Sequence, residues 1–263
     1  IKKYLNINHN HKTITTLPFA YSYGMSVINS HIYSGGTIVI THFSILQKNF
    51  WEIFSRYSIT SFAGVPFTYE LLKKIDIKNL DSSHFKYSTV AGGNLDLSSL
   101  NFFINRFKEI DKKLIVMYGQ TEASPRISFL PWSSIEEKKG SIGIAIPGGK
   151  IKIEKDCGFD FGELVYFGDN VCLGYAENYT DLSNRDMNQG KLYTGDLAIE
   201  DKDGFFYIKG RKKRFIKLFG NRINLDDIEK QIRSYNIDVA CIGTDQELKV
   251  FIINKTDINI VKE

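Results

Sequence analysis

The sequence predicts an α/β protein: a parallel-sheet α/β region, then a small β-barrel-like region, then the start of a small C-terminal α/β domain. Three observations carry this prediction. Residues 87–118 read as strand, helix, strand; the stretch after Pro147-Gly148-Gly149 holds short β runs without helical periodicity; and beyond Lys213 a single helix precedes two further strands. The corresponding divisions are 1–146, 147–209 and 213–263. A length of 263 residues is enough for one large or two modest domains with a sizeable core.

Taken in order, residues 37–40 and 61–63 are short β-branched or apolar runs that stop at glycine or proline signals. Pro66 suits the first position of a helix, and Tyr69, Leu72 and Ile75 follow at helical spacing. Residues 87–91 form a strand, 97–110 a helix with Leu100, Phe103, Ile104 and Phe107 on its apolar face, and 114–118 a second strand. A βαβ unit of this kind places its two strands parallel and adjacent, and ligands gather beyond the carboxyl ends of such strands. Both ends carry unusual sequences: Ala91-Gly92-Gly93-Asn94 and Tyr118-Gly119-Gln120-Thr121-Glu122. Further on, 150–153, 163–167 and 205–208 are strands, Asn224 is the N-cap of a helix over 225–232, and 239–242 and 248–252 are strands.

With 43% hydrophobic and 24% charged residues the composition is that of a folded globular protein. The net charge of +4 is too weak to predict a nucleic-acid partner. No apolar run approaches the ~20 residues of a membrane span, and the start, Ile1-Lys2-Lys3-Tyr4, lacks a signal-peptide pattern, so no membrane partner and a cytoplasmic location are expected. Cys157, Cys172 and Cys241 are odd in number and widely spaced, which predicts reduced thiols. His9 and His11 form the one close histidine pair, in a polar stretch that is not read as a metal site.

The chain contains no GxxxxGK[ST] loop, GxGxxG, GxSxG or HExxH, which removes the main support for P-loop NTPase and common hydrolase readings. Other motifs stand in a definite order. They are Leu17-Pro18-Phe19-Ala20-Tyr21-Ser22-Tyr23-Gly24, Gly35-Gly36-Thr37, Gly64-Val65-Pro66, Ala91-Gly92-Gly93 and Tyr118-Gly119-Gln120-Thr121-Glu122. Gly162-Glu163-Leu164-Val165, Gly174-Tyr175, Tyr193-Thr194-Gly195-Asp196-Leu197, Gly210-Arg211-Lys212-Lys213 and Gly220-Asn221-Arg222-Ile223 follow.

In these motifs and their order, over essentially all 263 residues, the sequence resembles the adenylate-forming (AMP-binding) superfamily: acyl-CoA synthetases, luciferases and peptide-synthetase adenylation domains. The resemblance implies ATP-dependent conversion of a carboxylic acid to an acyl-adenylate, then transfer to a thiol of coenzyme A or phosphopantetheine, the latter on an acyl carrier protein. It implies ATP and Mg²⁺ as cofactors, and a C-terminal domain that moves.

Residue by residue, the resemblance implies a nucleotide site of Gly92, Gly93, Asn94, Tyr118, Gly119, Gln120, Thr121, Asp196 and Arg211. Tyr118 would stack on adenine, and Gly92 and Gly93 would let a ligand lie against the backbone. Thr121 would donate to the α-phosphate, Glu122 would offer Mg²⁺ a hard carboxylate oxygen, and Asp196 would accept from the ribose hydroxyls. Lys217 aligns with a lysine that enters the active site when the domains rearrange, and Lys213 stands at the hinge. Tyr21, Tyr23, Val65, Thr68 and Tyr69 are the expected pocket residues. Tyr118, Thr121, Glu122, Asp196 and Arg211 are expected to share one cleft.

Phe19-Ala20 stands where amino-acid-activating relatives carry Phe-Asp, which favours an acyl, aryl or hydroxy acid, although Tyr21 replaces a histidine common in acyl- and aryl-CoA ligases. The upstream Ser/Thr/Gly-rich phosphate loop and the downstream lysine motif fall outside the 263 residues, so a partial chain, not competent for adenylation alone, is expected. A non-catalytic remnant that binds nucleotide or a partner protein, and an amino-acid-activating ligase, stay open as alternatives.

Overall fold

A computed structural model describes residues 1–75, 80–155, 160–218, 221–244 and 246–253, with the side chains at 217, 218, 221 and 222 left aside. In chain order the first elements are α1 (Lys2–Leu5), β1 (Lys12–Ile14), α2 (Ser22–Tyr33), β2 (Thr37–Val39), α3 (Lys48–Arg56), β3 (Ser61–Gly64) and α4 (Pro66–Leu72). Then come β4 (Tyr87–Val90), α5 (Leu97–Glu109), β5 (Lys113–Tyr118), β6 (Ser128–Leu130), β7 (Ile144–Ala145), β8 (Lys150–Lys155), β9 (Gly162–Phe167), β10 (Lys191–Glu200) and β11 (Phe206–Arg211). The chain continues with β12 (Phe215–Leu218), β13 (Asn221–Asn224), α6 (Leu225–Arg233), β14 (Val239–Gly243) and β15 (Leu248–Ile252).

Strands β2-β1-β3-β4-β5-β6-β7 form one sheet in that order. The first five are parallel, and β6 and β7 add antiparallel. The βαβ unit expected over 87–118 is present, with Val90 opposite Val116. Pro66 is the first residue of α4, and Asp96 caps α5 by accepting from the Ser99 amide at 2.9 Å.

Side chains alternate along β5: Leu114 and Val116 join one apolar cluster, Ile115 and Met117 the other. Burial on both faces is what a parallel sheet needs. The larger cluster, under α3, α4 and α5, is rich in rings: Phe50, Phe54, Phe62, Tyr69, Phe85, Phe103 and Phe107 are all fully buried. The smaller cluster, on the side of α2, holds Tyr23, Ala63, Tyr87, Ala91, Ile115 and Met117.

The chain divides into two compact units, one of Ile1–Lys152, Val165–Tyr193 and Glu200–Tyr207, the other of Ile153–Leu164, Thr194–Ile199 and Ile208–Glu263. A four-stranded sheet has the order β11-β10-β9-β8. In the second unit β12 pairs antiparallel with β13 and β14 with β15, around Ile216, Leu225, Val239 and Cys241. Asn224 caps α6 as expected, accepting from the Asp226 amide at 3.0 Å. Arg214, in the 3-10 turn just before β12, binds Asp226 at 2.7 Å, Glu229 at 2.5 Å and the Cys241 carbonyl at 2.6 Å, which ties that turn to α6 and β14. Among the described cysteines, Cys172 and Cys241 are free thiols; Cys157 lies outside the described residues. No helix among the described residues is long and apolar enough to cross a membrane.

His31, buried on α2, donates through Nδ1 to the Val27 carbonyl at 2.8 Å, and burial holds its pKa below the ordinary histidine value. The unfolded chain takes up a proton near pH 6.5 that the folded chain refuses, so this residue makes stability fall as pH drops below about 6.5. His31→Gln is expected to flatten the dependence of the unfolding midpoint on pH between 6.5 and 5.5. Identical slopes for the two proteins would remove His31 as its source.

Candidate active site

Beyond the carboxyl end of β5 the chain makes one 3-10 turn, Thr121–Ala123, and returns as β6, with Tyr118 opposite Ser128. Gly119 makes this return possible, because a Cβ there would lie 2.0 Å from the Pro125 carbonyl oxygen. Thr121 is exposed and Glu122 half-buried, so the turn presents a hydroxyl and a carboxylate side by side.

The first turn of α2 touches several of these loops. Tyr21 sets its hydroxyl beside Gly92, which has φ +79° and where an added Cβ would meet that oxygen at 2.3 Å. Ser22 Oγ lies 3.0 Å from Thr121 Oγ1, and the Tyr23 hydroxyl bonds Thr89 Oγ1 at 2.7 Å. Arg126, 2% exposed, stacks on the Tyr23 ring at 4.5 Å from its centroid. Three consecutive residues thus tie the glycine loop after β4 to the turn after β5.

The five expected pocket residues divide. Tyr21, Val65 and Thr68 are partly exposed; the Val65 side chain lies near Gly92, and the Thr68 hydroxyl accepts from the Val65 amide at 3.2 Å. Tyr69 belongs to the core instead: it is fully buried, packs edge-on against Phe103, and bonds Ser88 Oγ at 2.9 Å and the Thr89 carbonyl at 3.1 Å. Tyr23 is likewise buried, and desolvation pushes its phenol far up. Gly93 and Asn94 are exposed, and Gln120 is half-buried.

Sequence reasoning missed the segment that backs this turn. Asn170 Nδ2 donates to the Ala123 carbonyl at 2.5 Å and the Arg126 carbonyl at 2.8 Å, and the Cys172 amide donates to the Glu122 carbonyl at 2.8 Å. Tyr175 donates its hydroxyl to Glu122 Oε1 at 2.5 Å, and that carboxylate pushes the phenol's pKa up. A partner 44 to 53 residues distant leaves no local periodic signal; the Gly174-Tyr175 motif was the one trace.

In the second unit Asp196 is 4% exposed on β10, with Arg211 Nε 3.1 Å from its Oδ1. Thr194 Oγ1 accepts from the Asp196 amide at 3.1 Å and donates to the Leu164 carbonyl at 2.8 Å. Glu163 accepts from the Gly195 amide at 3.1 Å and from Lys212 Nζ at 2.7 Å. Arg211 and Lys212 therefore bind β10 and β9, whereas Arg214 binds α6 and β14, with exposed Lys213 between them. The Lys217 side chain and Gly220 lie outside the described residues.

The sequence model of the family described as AMP-binding enzyme matches residues 1–176. A long-chain-fatty-acid–CoA ligase of Yersinia pestis is 28% identical over 269 residues, which cover 95% of this chain and 46% of the relative. One from Salmonella typhimurium is 30% identical, covering 76% of this chain and 37% of its own length. Probable 4-coumarate–CoA ligase 2 of Dictyostelium discoideum is 28% identical, covering 90% and 44%. The chain thus spans less than half the length of these curated relatives.

Among solved structures, o-succinylbenzoate CoA synthetase from Bacillus subtilis, in complex with its acyl-adenylate intermediate, superposes with a TM-score of 0.77 at 22% identity, covering 99% of this chain and 56% of that one. The same enzyme in complex with ATP and magnesium ion gives 0.76. At that identity the likeness speaks for the fold, and it agrees with the α/β architecture above. With a family model covering two thirds of its residues, and with the strand-end motifs in place, the chain belongs to the AMP-binding enzyme family.

Proposed function

We propose that the chain is part of a ligase that uses ATP to convert a carboxylic acid to an acyl-adenylate, releasing pyrophosphate, and then passes the acyl group to the thiol of coenzyme A, releasing AMP. The observation that carries this reading is the turn after β5. It presents the Thr121 hydroxyl and the Glu122 carboxylate together, locked from one side by Ser22 and from the other by Asn170. Relatives named as CoA ligases support the choice of thiol. A carrier-protein pantetheine is the alternative acceptor.

In this reading Tyr118 stacks on adenine, Thr121 donates to the α-phosphate and Asp196 accepts from the ribose hydroxyls, with Arg211 beside it. The residues fit magnesium rather than a metal held wholly by protein. Among the described residues no three His, Cys, Asp or Glu side chains cluster as a metal cage, and Mg²⁺ is ordinarily held by one or two carboxylates plus substrate phosphates. Glu122 is the carboxylate that would hold it; when bound, Mg²⁺ supplies charge neutralisation at the phosphates. Phe19-Ala20 offers no counter-charge for an α-ammonium group, so the acid is acyl, aryl or hydroxy rather than amino. Lys213 is the hinge between residues held by β9 and β10 and a residue held by α6 and β14, with the moving C-terminal domain beyond it.

Asp196→Ala tests the nucleotide assignment. The Arg211 side chain facing it is 68% exposed and stays hydrated, and an unchanged thermal midpoint of the variant is the check that the fold survives. A charge-assisted hydrogen bond is worth about 1.5–3 kcal/mol, so ATP affinity should fall roughly tenfold to a hundredfold while acid affinity holds. Equal losses for ATP and acid would assign Asp196 a structural role instead.

A further inference from the structure

We propose that residues 170–175 form a clamp that sets the geometry of the turn after β5 for a metal-bound nucleotide, with Asn170 and Tyr175 as its positioning residues. This inference rests on the reading of Glu122 as a metal-holding carboxylate.

The turn has little to hold its own shape. It contains one 3-10 turn, Ser124 sits at φ +55°, and its internal bonds run from Ala123 to Gln120, Ser124 to Thr121 and Arg126 to Ala123. Single 3-10 turns have poor hydrogen-bond geometry and are weak in isolation. Rigidity comes from outside. Both donors of the Asn170 amide are spent on the Ala123 and Arg126 carbonyls, its Oδ1 accepts from the Tyr166 hydroxyl at 2.7 Å, and its main-chain oxygen accepts from Ser124 Oγ at 2.9 Å. An amide used at both ends in this way fixes one rotamer and one backbone path. The Cys172 amide then takes the Glu122 carbonyl, and Tyr175 takes the Glu122 carboxylate.

Glu122 is therefore held at its main chain and at one side-chain oxygen by the same short segment. Tyr175 is 76% exposed, so burial does not demand that its hydroxyl find a partner. Its single described hydrogen bond goes to the carboxylate, which fixes Oε1 and orients the group for a hard cation. Asn170 acts on the whole turn, Tyr175 on the carboxylate alone, and the two variants should separate accordingly.

The experiment is calorimetric titration of the purified protein with ATP, once with Mg²⁺ and once with a chelator. In the wild-type protein Mg²⁺ is expected to strengthen binding. Tyr175→Phe should lose about tenfold of that gain, the lower end for a hydrogen bond to a charged group, with metal-free affinity and thermal midpoint unchanged. Asn170→Asp is isosteric but points acceptors at two carbonyls; it should weaken binding at least tenfold under both conditions. A full Mg²⁺ gain in Tyr175→Phe that disappears in Glu122→Gln would overturn the clamp while leaving the metal reading intact. A wild-type affinity indifferent to Mg²⁺ would overturn that reading and the clamp together.

Discussion

Glu122→Gln, introduced into the protein that carries this chain, is expected to lower acid-dependent ATP–pyrophosphate exchange by about 10²–10³-fold, the range for removal of one electrostatic stabiliser of a transition state. The substitution keeps shape and removes charge. The amide oxygen can still accept from Tyr175, and the Glu122 main-chain carbonyl keeps the Cys172 amide, so the turn is expected to stand. What is lost is the hard anionic oxygen that Mg²⁺ requires while charge builds on the departing pyrophosphate. Exchange at saturating acid and ATP is the measurement, with partial recovery at raised Mg²⁺. Exchange within a few-fold of the unmodified protein would show that Glu122 does not hold the metal.

The second large effect concerns the fold. Phe103→Ala is expected to destabilise the protein by about 3–5 kcal/mol, the usual cost of deleting a buried aromatic ring. Phe103 on α5 is fully buried, edge-on to Tyr69 at 5.0 Å between ring centroids and edge-on to Phe107 at 6.0 Å. The Tyr69 and Phe107 rings cannot collapse into the space without leaving their rotamers, so a cavity remains. A urea titration reads the loss as a lower midpoint at unchanged slope. A shift worth under about 1 kcal/mol would mean that the neighbouring rings repack.

The βαβ unit was legible because each of its elements is long enough to show a period and is bounded by turn residues; β4, α5 and β5 fall within two residues of their expected limits. The first strand, β1, has three residues, too few for any alternation to register. Helix α2 buries Gly24, Ser26, Ser30 and His31 along with Tyr23, so its inward face is small and polar and gives no apolar stripe. Strand β10 escaped because Thr194-Gly195-Asp196 reads as a turn, yet Gly195 takes φ +70° within the strand. In the candidate site, motif residues were visible as motifs and their supports were not. Ser22 reaches Thr121 across 99 positions and Asn170 reaches Ala123 across 47, distances over which chain periodicity carries no information.

The bonds from Asn170 to the turn have a further consequence for synthesis. The parallel strands β1 to β5 and the turn itself leave the ribosome before Asn170 does, some 47 residues after Ala123. At about 5–20 residues per second this is a delay of roughly 2–10 s, during which the sheet can assemble while the turn lacks its fastening. A nascent chain stalled before Asn170 has cleared the exit tunnel should therefore leave the turn open to cleavage at Glu122 even with its strands paired, and one stalled a few dozen residues later should protect it.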